Sequence, residues 1–265
     1  MKHIEYQDID LAYSSQGRGK AVVFLHGFCA DSTVWEDYKQ DLLEEKYRVI
    51  CIDLPGFGRS GVIQDCSVAQ MADAVKTVLD ELHVEEGILI GHSMGGYVGL
   101  AFAEKYPEFL LGLGLFHSHP FADSAEKIEN RQSSIRFIER QGHQLYVKQL
   151  IPKLFPPKFV RGNSFLIDKM IYRASKYDAL GIINGLKAMM QRPDRAQVLK
   201  DVEVPVLFIV GALDEAIPHD YSIEQTHLPE VAHIHILDKV AHMGMLEAQK
   251  QTQVMMRKFV EYCLS

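Results

Sequence analysis

The chain has 265 residues, and 28 lysines and arginines against 35 aspartates and glutamates give it a formal net charge of −7. A chain of this length buries enough surface to fold without disulfides or a structural metal. The acidic balance and the absence of a run of basic residues argue against nucleic acid and anionic membranes as partners.

The first residues, 1–8, contain acids where an export signal would have basic and then apolar residues, and no window approaches 18 apolar residues. The four cysteines, Cys29, Cys51, Cys66 and Cys263, have none of the C-x-x-C spacing of zinc or redox sites. We therefore expect a cytoplasmic protein with reduced thiols that acts as a monomer or a homodimer.

Short apolar runs recur along the chain, at residues 21–25, 47–53, 87–90, 110–116, 204–210 and 233–237. Such near-continuous runs are typical of strands that are covered on both faces, as in a parallel sheet. Helical patterns lie between them, including a capping box at Ser67 and Gln70 that opens an amphipathic helix. The alternation predicts an α/β fold with an open, doubly wound, mostly parallel sheet.

The pattern changes between Pro120 and about Leu199, where the strand-like runs stop. Segments with helical spacing follow at residues 128–140, 144–150, 165–176 and 178–190. We therefore predict a core of residues 1–119 and 200–265, with a helical cap of residues 120–199 inserted late in the sheet. The charges of residues 126–140 are interpreted as a solvated face of this cap.

The strongest local motif is Gly91-His92-Ser93-Met94-Gly95. It follows one predicted strand and opens an apolar helix, which is the context of a G-x-S-x-G nucleophile elbow. The two glycines let strand and helix approach closely at a sharp turn, and the serine lies at the positive end of the helix dipole. Ser93 is therefore the candidate nucleophile.

A serine nucleophile needs a base and a group that orients the base, and on a scaffold of this kind they follow in the order serine, acid, histidine. Asp214 and His242 each come just after a predicted strand, at the carboxyl edge where the active sites of open α/β sheets collect. A tetrahedral oxyanion also needs two donors. We assign them to the backbone N–H groups of Phe28 and Met94.

Four further residues are expected to line the substrate pocket. His26 and Gly27 precede the first oxyanion donor, and His117 and His119 lie where the chain leaves the sheet for the cap. The pair His117 and His119 could offer two metal ligands, but a metal site needs three or four, and no Cys or carboxylate pattern accompanies the pair. We therefore predict no metal.

A second glycine motif, Gly56-x-Gly58-x-x-Gly61, follows the strand at residues 47–53 and matches the dinucleotide fingerprint. That fingerprint needs a helix that opens at its third glycine. Here the next helical pattern begins only at Ser67, so we expect no nucleotide and no other cofactor.

Taken together, these motifs resemble those of the α/β-hydrolase superfamily. The segments that carry the resemblance are His26-Gly27-Phe28, residues 53–60, 91–96 and 211–214, and Ala241-His242. The match runs from about residue 20 to the end of the chain apart from the helical insert, which lies where that family carries its cap or lid. The resemblance implies the α/β-hydrolase fold.

The Gly-His-Ser-Met-Gly-Gly form of the elbow is similar to that of carboxylesterases, monoacylglycerol lipases, thioesterases and cofactor-free perhydrolases or haloperoxidases. Haloalkane dehalogenases and epoxide hydrolases have an aspartate in place of Ser93. Carbon–carbon bond hydrolases usually have an asparagine in place of His92, which makes that activity a weaker match.

The residues predict a serine hydrolase that cleaves small to medium acyl esters through an acyl-enzyme intermediate. Ser93 attacks the carbonyl carbon, His242 transfers the proton, and Asp214 orients the imidazole. A perhydrolase or haloperoxidase, or a carbon–carbon bond hydrolase, could use the same triad. The alternative outside enzymes is a small-molecule binding protein with an idle triad.

Overall fold

The structure, a computed structural model, describes residues 1–217 and 219–265. Within these residues, strands form one sheet in the order β1-β2-β4-β3-β5-β6-β7-β8. They are β1 (Lys2–Tyr6), β2 (Ile9–Gln16), β3 (Ala21–Leu25), β4 (Arg48–Ile52), β5 (Gly87–His92), β6 (Leu110–Phe116), β7 (Val206–Gly211) and β8 (Ala232–Leu237). β2 pairs antiparallel with β1 and β4, whereas the pairs from β4 through β8 are parallel. The predicted mostly parallel α/β sheet is confirmed.

Four strands, β4, β5, β7 and β8, differ by one or two residues at one or both ends from the predicted apolar runs. β7 begins at Val206 instead of residue 204, because Pro205 has no N–H to donate to the sheet. β5 continues beyond the apolar run and ends at His92, so Ser93 follows the strand directly.

Helices cover both faces of the sheet. On the core they are α1 (Glu36–Glu44), α2 (Val68–Glu81), α3 (Met94–Lys105), α10 (His219–Glu224), α11 (Gly244–Glu247) and α12 (Gln249–Leu264). The capping box of α2 is present, with the Gln70 N–H donating to Ser67 Oγ at 3.1 Å. Since α2 begins at Val68, no helix opens at Gly61 as a dinucleotide fingerprint would need.

The segment between β6 and β7 is helical. It contains α4 (Ala125–Gln141), α5 (His143–Leu150), α6 (Pro157–Gly162), α7 (Ser164–Ala174), α8 (Ala179–Gln191) and α9 (Ala196–Asp201). α4 packs against α5 and α8, and α5 packs against α7. The division into core and cap stays a prediction, and α9 crosses its second boundary.

The sequence pattern did not predict α6 and α9, which have six residues each. So short a helix has too few turns to show a periodic apolar face. None of the described helices has both the length and the apolar character that crossing a membrane requires.

The helical insert touches the loop after β4 where Gly181 of α8 meets Gly56. A Cβ added to Gly181 would lie 2.4 Å from the Gly56 carbonyl oxygen, so backbone would have to move. We expect Gly181→Ala to lower the free energy of unfolding by about 1–3 kcal/mol. Urea unfolding measures this change.

The matched control is Gly162→Ala, because a Cβ there meets no atom within 4 Å. This variant should leave the free energy of unfolding unchanged or raise it slightly. Equal stability of the two variants would contradict the close contact at Gly181.

Candidate active site

The backbone at Ser93 makes a sharp turn between β5 and α3. Ser93 has φ 49° and ψ −115°, a conformation that L-residues rarely adopt. Close packing around the turn requires glycine, since a Cβ on Gly91 would lie 2.2 Å from the Gly95 carbonyl oxygen. A Cβ on Gly95 would lie 2.5 Å from the Leu25 carbonyl oxygen. The turn has the local geometry predicted for a nucleophile elbow.

Positive φ angles recur beyond the ends of three neighbouring strands. Cys29 follows β3, Ser93 follows β5 and His117 follows β6, with φ values of 56°, 49° and 47°. Conformations of this kind are costly and cluster at functional sites. Four other described non-glycine residues also have positive φ, so the angles support the carboxyl edge as the candidate site only together with the groups that lie there.

Asp214 and His242 lie at the same edge, in the loops after β7 and β8, and they form a hydrogen-bonded pair. His242 Nδ1 donates to Asp214 Oδ2 at 2.7 Å, and the side chains are 6% and 3% exposed. The other carboxylate oxygen accepts the N–H groups of Ala216 and Ile217 at 2.8 and 3.1 Å. The donation from Nδ1 leaves His242 Nε2 as the basic nitrogen.

The carboxyl group of Asp214 keeps its charge although it is buried. Burial by itself would raise its pKa, but the neighbouring His242 and His117 outweigh that effect and hold the pKa well below its usual range. Asp214 is therefore ionised at neutral pH and able to stabilise an imidazolium at His242.

His117 is a second imidazole beside the same carboxylate. Its side chain is fully buried, and Nδ1 lies 3.5 Å from Asp214 Oδ2. A backbone N–H points at each ring nitrogen, that of Gly211 at Nδ1 and that of Gly244 at Nε2, both at 3.2 Å. Burial lowers the pKa of His117, which favours a neutral ring, although the neighbouring Asp214 opposes that change.

The backbone of His242 is held on both sides. Its N–H donates to the carbonyl oxygen of Leu154, in the helical insert, at 3.1 Å. Its carbonyl oxygen accepts from Nε2 of His92 at 2.9 Å. The residue before the candidate nucleophile and a residue of the insert therefore both position the candidate base.

Glu247 fixes the loop that carries His242. Its two carboxylate oxygens accept the N–H groups of Ala241 and Met243, each at 2.8 Å. Burial raises the pKa of Glu247, and the two N–H donors oppose that change. Sequence reasoning missed Glu247, and the only available signal was an acid five residues after the histidine.

The N–H groups of Phe28 and Met94 are available as oxyanion donors. Met94 is the first residue of α3, where an N–H has no partner within the helix. Among the described residues, none accepts a hydrogen bond from either N–H. Their role as an oxyanion hole stays a prediction.

A small cavity of about 120 Å³ joins these groups. Its lining includes Phe28, His92, Ser93, Tyr97, Lys127, Arg131, Tyr146, Leu150, Leu154, Met189, Ala216, Ile217 and His242. Within the described residues no hydrogen bond joins the Ser93 hydroxyl to His242, and such contacts often tighten only when substrate binds. A larger cleft of about 780 Å³ reaches Asp214 and Ala241 but not Ser93, so the chemistry favours the small cavity.

The four residues predicted to line the substrate pocket are absent from the described cavity lining. His26 accepts the Leu54 N–H on Nε2 at 2.9 Å, and Gly27 lies against the ring of His92. His117 lies behind Asp214, and His119 faces the Tyr97 hydroxyl at 3.3 Å. The cavity gives no direct support to their predicted role. In the described part of the chain, no three His, Cys, Asp or Glu side chains are grouped as a metal site would need.

Two charged side chains of α4 lie inward, which corrects the interpretation of residues 126–140 as a solvated face. Lys127 and Arg131, one turn apart, are partly buried and line the cavity. The error has a physical cause. Spacing shows that charges share a helix face but not whether that face meets water or a polar cavity.

Comparison with known proteins indicates a family for the chain. The sequence model of a family described as alpha/beta hydrolase fold matches residues 20–132. An esterase from Thermogutta terrifontis, solved with malate bound, is 27% identical, with a TM-score of 0.93 and full coverage of both chains. These matches support the α/β-hydrolase superfamily, and with it hydrolase activity, for this chain.

Two curated relatives differ in their activities. A 2-hydroxy-6-oxo-6-phenylhexa-2,4-dienoate hydrolase from Comamonas testosteroni is 25% identical over 92% of this chain and 88% of that protein. The dihydrolipoyllysine-residue acetyltransferase component of the acetoin cleaving system of Pseudomonas putida is 30% identical over 91% of this chain. The chain spans 64% of that relative's length.

The buried His119 makes the fold sensitive to acid. Burial and the nearby Arg192 lower the pKa of His119 to about 3. In the unfolded chain its pKa returns to about 6.5. Between these values the unfolded state binds a proton that the folded state does not, so stability falls as the pH falls, by about 1 kcal/mol per pH unit.

We expect His119→Gln to lose less unfolding free energy than the wild type when the pH is lowered from about 7 to about 4.5, because glutamine does not titrate. Urea unfolding at the two pH values measures the difference. His3→Gln, at an exposed position, should behave like the wild type. Equal losses in His119→Gln and wild type would show that His119 carries no such penalty.

Proposed function

We propose that the protein is a serine esterase that cleaves short acyl esters. The observation that carries the proposal is the 2.7 Å hydrogen bond from His242 to the buried, ionised Asp214. The imidazole of His242 also lines the same cavity as Ser93. A serine at a strained strand-to-helix turn, with a base oriented by a carboxylate, is the arrangement that acyl transfer needs.

In the first half-reaction, Ser93 Oγ forms a bond to the ester carbonyl carbon while its proton moves to His242 Nε2. The carbonyl oxygen becomes an oxyanion, which the N–H groups of Phe28 and Met94 stabilise. The bond to the alcohol oxygen then breaks, and the imidazolium returns the proton to that oxygen. The alcohol leaves, and the acyl group stays on Ser93.

In the second half-reaction, a water molecule replaces the alcohol. His242 takes a proton from the water, whose oxygen attacks the acyl carbon, and Ser93 leaves with the proton that the imidazolium returns. The products are the free acid and the unchanged protein, so no cofactor enters the balance.

The size of the cavity supports short acyl groups. Its volume of about 120 Å³ is far below the 300–1,000 Å³ typical of sites for larger ligands. Apolar side chains of the helical insert, Leu150, Leu154 and Met189, form part of its wall. An acyl chain of about four carbons fits such a space better than a fatty acid.

Carbon–carbon bond hydrolysis is the second candidate, favoured by the similarity to the Comamonas testosteroni dienoate hydrolase. His92 speaks against it, because the resemblance to carbon–carbon hydrolases would place an asparagine before Ser93. Perhydrolysis would use the same residues, with hydrogen peroxide in place of water.

A fluorophosphonate probe tests the nucleophile. We expect the wild type to be labelled and Ser93→Ala to lose the label together with ester hydrolysis, by roughly 10⁴-fold or more, because the probe reacts only with an activated serine. Ser133→Ala, at an exposed position of α4, should keep both. An unlabelled wild type would favour a binding protein with an idle triad.

A panel of 4-nitrophenyl esters tests the substrate. We expect kcat/KM to be highest for acetate to butyrate and to fall for octanoate and longer chains, because the cavity is small. Release of 4-nitrophenol measures the rates. Turnover of a 2-hydroxy-6-oxodienoate without turnover of any ester would select the carbon–carbon candidate.

A further inference from the structure

The lining of the cavity carries unusual charge. Lys127 and Arg131 of α4 both line it, and Arg192, after α8, stacks 3.9 Å from the centre of the Tyr97 ring, which lines it too. Two nearby carboxylates, Asp123 and Asp214, oppose these three cations. Positive charge is therefore in excess beside Ser93.

Asp123 forms ion pairs with Arg131 and Arg192. Its Oδ2 accepts from Arg131 Nε at 2.6 Å, and its Oδ1 accepts from Arg192 Nη1 at 2.7 Å. The carboxylate and Arg192 are each 2% exposed. Burial would raise the pKa of Asp123, but the two guanidinium groups lower it, so it stays ionised. Among the described residues, no hydrogen bond or ion pair joins Lys127 to Asp123.

Lys127 lacks an anionic partner among the described residues. Its ammonium group donates to the Ala216 carbonyl oxygen at 3.0 Å, which uses one of three N–H donors. Burial, and then the charge of Arg131, lower its pKa, although Asp123 and Asp214 oppose that change from a distance. A partly buried cation that touches no carboxylate is costly. A ligand that brings a carboxylate to this lining would remove that cost.

We propose that the acyl chain of the substrate ends in a carboxylate, which Lys127 binds while Ser93 attacks the ester carbonyl. The substrate class is esters of short dicarboxylic acids. This inference rests on the proposed function, since it names the acyl group of the same reaction. A cavity of about 150 Å³ holds benzene, so the space here suits about four acyl carbons.

Two esters of equal chain length test the proposal. Mono-4-nitrophenyl succinate and 4-nitrophenyl butyrate differ at the end of the acyl chain, a carboxylate against a methyl group. We expect the wild type to have the higher kcat/KM for the succinate ester. In Lys127→Met the ratio of the two kcat/KM values should fall at least tenfold, as expected for loss of a charged hydrogen bond.

The ratio separates substrate binding from a structural role of Lys127. If Lys127 only held the Ala216 loop beside Asp214, the substitution would lower both rates in parallel, and an unchanged ratio overturns the proposal. Lys127→Arg should retain the preference for succinate. Arg140→Met, at an exposed position of the same helix, should leave both rates unchanged. If Lys127→Met does not fold, Lys127→Gln provides the same comparison.

Succinate binding separates this proposal from the proposed esterase function. Calorimetry should detect succinate binding to Ser93→Ala and at least tenfold weaker binding to the variant that also carries Lys127→Met. Binding without turnover of either ester would sustain the anion site and overturn the esterase. Ester turnover without succinate binding would overturn the anion site alone.

Discussion

The site is organised around one buried negative charge, that of Asp214. A carboxylate that is 3% exposed must be surrounded by donors, and here they are His242 and the N–H groups of Ala216 and Ile217, with the His117 ring 3.5 Å away. Loss of one partner of a buried ion pair typically costs about 3–5 kcal/mol, because the remaining charge is left uncompensated. The same contacts that keep the charge inside the protein also fix the direction of the imidazole, so folding and orientation of the base share one cause.

The sheet explains why these groups meet. Parallel strands bring their carboxyl ends to one edge, and the loops there carry Ser93, His117, Asp214 and His242. Three of the seven described non-glycine residues with positive φ lie in these loops, and the buried strands β3, β5 and β6 hold them there.

The candidate triad could be predicted from sequence because each member follows a recognisable strand and the order along the chain excludes most other residues. Contacts that join distant segments could not be predicted from the sequence. His92 and His242 are 150 residues apart, and no local pattern records their hydrogen bond. Spacing identified the longer helices of the insert but left the six-residue α6 unpredicted. It also placed Lys127 in solvent, because the polarity of a helix face does not reveal what covers that face.

The hydrogen bond from the His242 N–H to the Leu154 carbonyl has a consequence for how such proteins diversify. If the insert between β6 and β7 only covered the site, exchanging it would alter specificity and leave the chemistry unchanged. Here the insert also holds the backbone of His242, the candidate base. A chimaera that received a relative's insert would need a main-chain carbonyl where the Leu154 carbonyl now accepts the His242 N–H. Without that carbonyl, the exchange would change the position of the base as well as the specificity.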